Sequence, residues 1–228
     1  MTWGGRARRS RRRRSGRVTT AIIGTGAIGA RLAASLTEGG ESVLIAGRDL
    51  AKTRELADRL GERATATTVD QAVEMADVLI LAVWFDTIKE LVDEWGERLN
   101  GTIVVDPSNP IAPDGKGGFT KTLPEEQSSG SVVAALLPPG ARLVKAFGTL
   151  LAPSLESEAR REPDRGAGFF ATDDQGAGDE VARLIRAAGF DPVPVGGIDQ
   201  SIRIEVFGDL HESTLGRVPS AEEGRGLV

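Results

Sequence analysis

Apolar positions along the chain follow two periods. Val18–Ile23 is a short apolar run and reads as a strand. In Ala27–Glu38 the apolar residues Ile28, Leu32 and Leu36 recur at every fourth position, which predicts a helix with one buried face, ended by Gly39-Gly40. Ser42–Ala46 reads as a second strand and Asp49–Leu60 as a charged helix that Asp49 can cap. A weak strand near Ala64–Thr67 and a short helix near Asp70–Met75 follow. Val78–Val83 is apolar at every position, the pattern of a central strand buried on both faces. Asp86–Leu99 reads as a helix and Thr102–Val105 as a strand. Pro107–Ser129, rich in Pro, Gly and Ser, reads as a long loop. Ser131–Leu137 predicts a helix and Arg142–Ala146 a strand.

The C-terminal third is less regular. Phe169-Phe170 reads as strand, Asp179–Ala188 as helix and Pro192–Val195 as strand edge, while Ile202, Val206 and Leu210 share one helical face. Strands alternating with helices predict an α/β fold, a doubly wound parallel sheet with a small C-terminal α/β extension. The expected organisation is a disordered basic tail over residues 1–17, a nucleotide-binding domain over 18–148, and a substrate or dimerisation region over 149–228.

Charge and composition narrow the chemistry. The net charge of −5 conceals eight Arg among the first 17 residues, so the remainder is strongly acidic and is not expected to bind nucleic acid. No apolar run approaches a membrane span, and no secretory signal is evident, so a cytoplasmic location is expected. Cys and Tyr are absent and His211 is the single His. These absences exclude thiolate nucleophiles and Tyr general acids, and no metal-ligand spacing is present. His211, between Asp209 and Glu212, is either a proton donor whose pKa its acidic neighbours raise or a structural residue.

Gly24-Thr25-Gly26-Ala27-Ile28-Gly29 is a G-x-G-x-x-G turn. It follows a strand and opens an amphipathic helix, which is the context that makes it a dinucleotide-binding signature. Gly24 permits the tight turn, Gly26 lets backbone approach a pyrophosphate, and Gly29 lets the helix pack closely on the sheet. The second strand ends at Gly47-Arg48, where NAD sites commonly place an acid. Arg48, with Lys52 one helical turn on, suits a 2′-phosphate, so NADP(H) is expected, and Asp49 is the dissenting residue.

Other strand ends supply the rest of the candidate site. Val83, Trp84 and Phe85 border the cofactor, with either aromatic against it or in the core. Asn109-Pro110 closes a rigid turn, and Asn109 either meets a nicotinamide amide or holds the turn. Ala146 ends a strand on the cofactor side, followed by Phe147 and Gly148 on the substrate side; Gly148 would leave room for a ring. Lys145 is either a charge for an acidic substrate or, as the preference of Lys for exposure favours, a residue on the far, exposed face.

From about Val18 to Ala152, and more loosely beyond, the chain resembles the NADPH-dependent coenzyme F420 reductases, also called F420-dependent NADP oxidoreductases. Thr25–Ile28 matches their phosphate-binding turn, Arg48 and Lys52 their 2′-phosphate cations, and Asp77–Val83 their central strand. Asp106–Pro110 matches the Asp-x-x-Asn-Pro turn of bacterial relatives, and Val144–Thr149 a segment usually written V-K-A-F-N-T. Three positions depart: Gly47 replaces a common Ser, Gly148 replaces an Asn or His that faces the deazaflavin, and Trp84-Phe85 stands where the family has Pro-Trp. The resemblance implies hydride exchange between NADP(H) and a deazaflavin co-substrate such as coenzyme F420, with no catalytic side chain required, and a homodimer joined through C-terminal helices. Reduction of a small imine or ketone, and NADP(H) sensing without catalysis, remain open alternatives.

Overall fold

The structure is a computed structural model, and it describes residues 18–228. The basic tail expected over residues 1–17 lies outside the described residues. The strands are β1 (Thr20–Ile23), β2 (Val43–Ala46), β3 (Ala64–Ala66), β4 (Val78–Leu81), β5 (Ile103–Asp106), β6 (Ile111–Pro113), β7 (Phe119–Lys121), β8 (Arg142–Ala146), β9 (Ala167–Ala171) and β10 (Asp191–Pro194). The helices are α1 (Ala27–Glu38), α2 (Leu50–Leu60), α3 (Val69–Met75), α4 (Phe85–Trp95), α5 (Ser129–Leu136), α6 (Ser154–Ser157), α7 (Gln175–Ala187), α8 (Glu212–Leu215) and α9 (Ala221–Leu227).

Eight strands form one sheet in the order β10-β9-β8-β5-β4-β1-β2-β3. From β1 the chain winds outward through β2 and β3, then returns to β4 on the other side of β1. That reversal is a topological switch point at the carboxyl ends of β1 and β4, the place where the ligand crevice of such sheets opens. Strand residues alternate between the faces. Ile22 packs with Leu32 and Leu36 of α1, Leu56 of α2 and Val181 of α7. Ala21 and Ile23 pack instead with Val73 of α3, Ile88 and Val92 of α4, and Val133 of α5. Both faces of β1 and β4 are covered, which is why the run over β4 is apolar throughout.

The doubly wound α/β sheet is as expected with one refinement at its edge, and two other expectations are corrected. The sheet is mostly, not wholly, parallel: β9 pairs antiparallel with β8, and β10 runs parallel to β9, so these two strands oppose the rest. They extend the same sheet across residue 148 as an opposed edge, an arrangement large α/β sheets tolerate. The long loop after β5 contains an antiparallel hairpin, β6 with β7, whose strands of three residues are too short to show a period. The stripe Ile202, Val206, Leu210 is not one helix. A 3-10 segment, Ile198–Ile204, buries Ile204, and a tight loop then carries Leu210 into the core while Val206 stays half-buried and Phe207 is exposed.

Candidate functional site

The carboxyl edge of the sheet presents, in spatial order, the ends of β2, β1, β4, β5 and β8. At β1 the turn is closed at both ends and open in the middle. Gly24 has φ +114, a conformation that side chains rarely adopt, and an added Cβ would fall 2.2 Å from the Ala82 carbonyl oxygen. A Cβ on Gly29 would fall 2.0 Å from the Gly24 carbonyl oxygen. A Cβ on Gly26 would meet nothing within 4 Å. Thus Gly24 and Gly29 bring loop, helix and β4 together, while Gly26 faces free space.

No side chain caps α1 at Gly26. By contrast Asp49 caps α2, Ser128 caps α5 and Asp174 caps α7. The other uncapped helix of comparable length, α4, starts beside α1 at the end of β4. Two helix starts with unsatisfied N–H groups and positive dipole ends therefore converge on one crevice. Gly24, Thr25, Gly26, Ala27, Ile28 and Gly29 are the residues that could hold a pyrophosphate there.

At the end of β2, Arg48 is exposed and makes no ion pair or hydrogen bond among the described residues. Lys52 is exposed, with its amine 4.0 Å from Asp49. Asp49 is committed to the fold: its Oδ1 accepts from the amides of Ala51 at 3.0 Å and Lys52 at 3.1 Å. The acid that argued for a ribose hydroxyl is the cap of α2. Gly47 lies under the Thr25 side chain, where an added Cβ would be 3.4 Å from Thr25 Cγ2. That is ordinary contact distance, and the nearest atom, Thr53 Oγ1 at 3.3 Å, belongs to a side chain, so the structure does not explain glycine at 47.

At the end of β4 the two aromatics part. Trp84 is 60% exposed, whereas Phe85 is buried among Ile88 and Val92 with Lys89 over its ring. Phe85, expected at the cofactor, is therefore a core residue, and Val83 is half-buried beside Trp84.

The ends of β5 and β8 are tied into one unit. Asn109 Nδ2 donates to the Gly148 carbonyl at 2.9 Å, and Asn109 Oδ1 accepts from the Val206 amide at 2.7 Å. Asn109 thus spends both ends of its amide on the fold, holding three chain segments. Pro110 is buried, and its carbonyl accepts from Thr122 of the hairpin. Ala146 is buried in the sheet's core, and Phe147, at φ +64, turns its ring into the same apolar cluster. Phe147 is therefore a packing residue and not an acceptor contact. Gly148 does not leave room for a ring: an added Cβ would be 2.8 Å from the Pro107 carbonyl oxygen, so the neighbouring turn already fills that space.

Lys145 overturns the expectation of an exposed residue. It is 1% exposed and donates to Asp106 Oδ2 at 2.9 Å, to the Ser108 carbonyl and to the Ser129 hydroxyl. Glu205 Oε1 lies 3.5 Å from the same amine. The Glu205 carboxylate also accepts from the amides of Ser129 and Gly130, at the start of α5. The helix dipole and these amides offset the second carboxylate. Register pairs Asp106 directly with Lys145, but Glu205 arrives from 60 residues away in sequence, as nothing local announces.

His211 is buried and caps α8, accepting from the Ser213 amide at Nδ1 over 3.0 Å. Burial holds its pKa below the ordinary value; Glu212 and a backbone hydrogen bond with Gly148 push upward without prevailing. The expectation of a raised pKa is corrected, because desolvation outweighs the acidic neighbours. The unfolded chain then binds a proton more readily than the folded one. The contribution to stability is complete above the ordinary imidazole pKa and is lost as pH falls through the lowered one. Melting temperature is expected to fall between about pH 7 and pH 5, and His211→Asn, which keeps a capping acceptor, should flatten that slope in a calorimetric series.

A surface depression of about 630 Å³ lies elsewhere, between the end of α1, the start of β2 and the end of α2. Its lining mixes Arg59 and Arg63 with Glu38 and Glu62 at the amino edge of the sheet, away from every strand end described above. Among the described residues no helix is long and apolar enough to cross a membrane, and no group of three or more acidic or His residues could hold a metal ion.

Comparison with known proteins bears on the same edge of the sheet. Residues 19–110 match the family described as NADP oxidoreductase, coenzyme F420-dependent. A hypothetical protein from Sinorhizobium meliloti, SMa0349, is 34% identical, with a TM-score of 0.77 over 86% of this chain and 93% of that one. A candidate F420-dependent NADP-reductase from Arthrobacter sp. FB24 is 22% identical, with a TM-score of 0.70 over 88% of this chain and 96% of that one. A reductive aminase from Aspergillus terreus, solved with NADPH and ethyl levulinate, is 16% identical, with a TM-score of 0.59 over 87% of this chain and 59% of that one. The last two likenesses concern the fold alone.

Proposed function

Because this chain belongs to the family of coenzyme F420-dependent NADP oxidoreductases, we propose that it transfers a hydride between NADP(H) and a deazaflavin acceptor of the F420 type. The observation that carries this reading is the contrast along the carboxyl edge. One end offers an uncapped glycine turn and an exposed Arg48 that has no ion pair among the described residues. The other end offers basic groups that are all engaged: Lys145 sits between carboxylates, and His211 caps a helix with its burial opposing protonation. NADPH, when bound, would supply a hydride to a ring carbon of the acceptor, and the one proton that balances the reduction would come from water and not from a side chain. The chain's own work is to hold the pyrophosphate at Gly24–Gly29, the 2′-phosphate at Arg48 and Lys52, and the nicotinamide end against the joined turns after β5 and β8. Trp84 and Val83 then border the cofactor and limit water beside it.

Reduction of an imine or ketone is the second reading, favoured by the fold shared with a reductive aminase. It needs a proton donor at the acceptor atom. A spectral screen separates the readings. NADPH consumption with oxidised F420 and none with imines or ketones supports hydride transfer to a deazaflavin; the reverse pattern supports the second. Tight NADPH binding without turnover on any acceptor would identify a sensing module instead.

Arg48→Ala tests the cofactor preference. The KM for NADPH is expected to rise about tenfold, the loss of one exposed charge-assisted contact, while the KM for NADH stays within about twofold. Equal losses for both would remove Arg48 from the 2′-phosphate site. The same reading includes a homodimer formed through the C-terminal region in the cytoplasm; a monomer in sedimentation at micromolar concentration would count against it.

A further inference from the structure

Phe207 is held in a conformation that its own side chain does not reward. Its φ is +74, in the left-handed region that favours glycine, yet the residue is 56% exposed. Its ring belongs to none of the apolar clusters. The backbone on either side is fixed. The Val206 amide donates to Asn109 Oδ1 at 2.7 Å, and the Gly208 amide donates to the Glu205 carbonyl at 2.8 Å. Gly208 is wedged so closely that an added Cβ would fall 2.3 Å from the Ile202 carbonyl oxygen. Beneath the loop, Glu205 is anchored by Lys145 and by the start of α5. Leu210 and His211 then return the chain to the core beside Gly148.

The loop is therefore a rigid mount, and what it presents is one aromatic ring. Asn109 ties it to the turns after β5 and β8, at the end of the crevice remote from Arg48. Strain that packing does not repay, at a fixed loop beside a ligand crevice, marks a contact made by the ligand. We propose that Phe207 contacts the planar ring of the hydride acceptor and forms a wall of its subsite, with Lys145, Glu205 and Asn109 as positioning residues. This rests on the hydride-transfer reading above. A flat conjugated acceptor suits the ring, because aromatic faces stack with little dependence on polar detail.

Phe207→Gly separates this role from a structural one. Glycine adopts the left-handed conformation freely, so the melting temperature is expected to hold or to rise by a few degrees. The KM for oxidised F420 should rise about tenfold, the NADPH dissociation constant should stay within about twofold, and Phe207→Trp should keep the KM near the wild-type value. An unchanged KM in an active Phe207→Gly enzyme would overturn the inference, whether the melting temperature falls because the ring supports the fold or a dimer dissociates because it faces a second copy. Wild-type protein that oxidises NADPH with no deazaflavin or flavin would overturn the hydride-transfer reading itself, and the acceptor role of Phe207 with it.

Discussion

Gly26→Ala is expected to weaken NADPH binding by about a hundredfold, near 2.7 kcal/mol, without lowering the melting temperature. The reason lies in the uneven packing of the glycine turn. An added Cβ at 26 meets no protein atom within 4 Å, and the residue already has an ordinary φ of −78, so the fold tolerates alanine. The methyl group would instead occupy the space through which phosphate oxygens reach the uncapped amides of α1. Gly29→Ala should behave differently. Its Cβ would fall 2.0 Å from the Gly24 carbonyl oxygen, so α1 must shift off the loop at a cost of about 1–3 kcal/mol, lowering stability and affinity together. Titration calorimetry beside thermal melting distinguishes the two. An unchanged NADPH affinity in Gly26→Ala would place the dinucleotide elsewhere.

Lys145→Met is expected to cost about 3–5 kcal/mol of stability, the range for removing one partner of a buried ion pair. For a domain of this size each kcal/mol moves the melting temperature by about 2–4 °C, so a fall of roughly 6–20 °C should be seen. The change leaves Asp106 and Glu205 facing each other across the Ser129 hydroxyl, 3.3 Å from Asp106 Oδ2 and 2.8 Å from Glu205 Oε1. Adding Glu205→Gln to Lys145→Met removes one of those charges, and the double variant should recover part of the loss. If the double variant is less stable than the single one by the full additive amount, the three groups are not coupled as the distances indicate.

What could be read from sequence here is what local rules dictate. The glycine turn, the strand before it and the helix after it lie within twenty residues, and each glycine there answers to one steric demand. Arg48 stands out in the sequence for the same local reason: it lies two residues past the end of β2, the place where dinucleotide sites commonly read the ribose. Asp49 was legible only as two alternatives, and the cap geometry at 51 and 52 settles its role in the fold.

Farther along the edge, local rules failed. Lys145 sits on an apolar strand, where its usual preference for water predicted the exposed face; burial became affordable only because Asp106, Ser129 and Glu205 converge from three other segments. Gly148 suggested open space, but the lack of a side chain serves a close approach of the Pro107 backbone. Ile202, Val206 and Leu210 kept a helical spacing, and Gly208, wedged against Ile202 and Arg203, breaks the chain's course between them. The pairing of β9 against β8 depends on the path of residues 147–166, which carries no period of its own. In each case the deciding partner lies tens of residues away, beyond any pattern within a window.

Direct hydride transfer between rings makes one demand that imine reduction and sensing do not share. NADPH carrying deuterium at both hydrogens of the transferable carbon of its nicotinamide should be mixed with oxidised F420 and the protein, and the reduced deazaflavin examined by mass spectrometry. Retention of one deuterium per NADPH consumed is the predicted result, since a hydride passed directly from carbon to carbon does not exchange with water. Reduced deazaflavin without the label, or no reduced deazaflavin at all while NADPH remains bound, would contradict it.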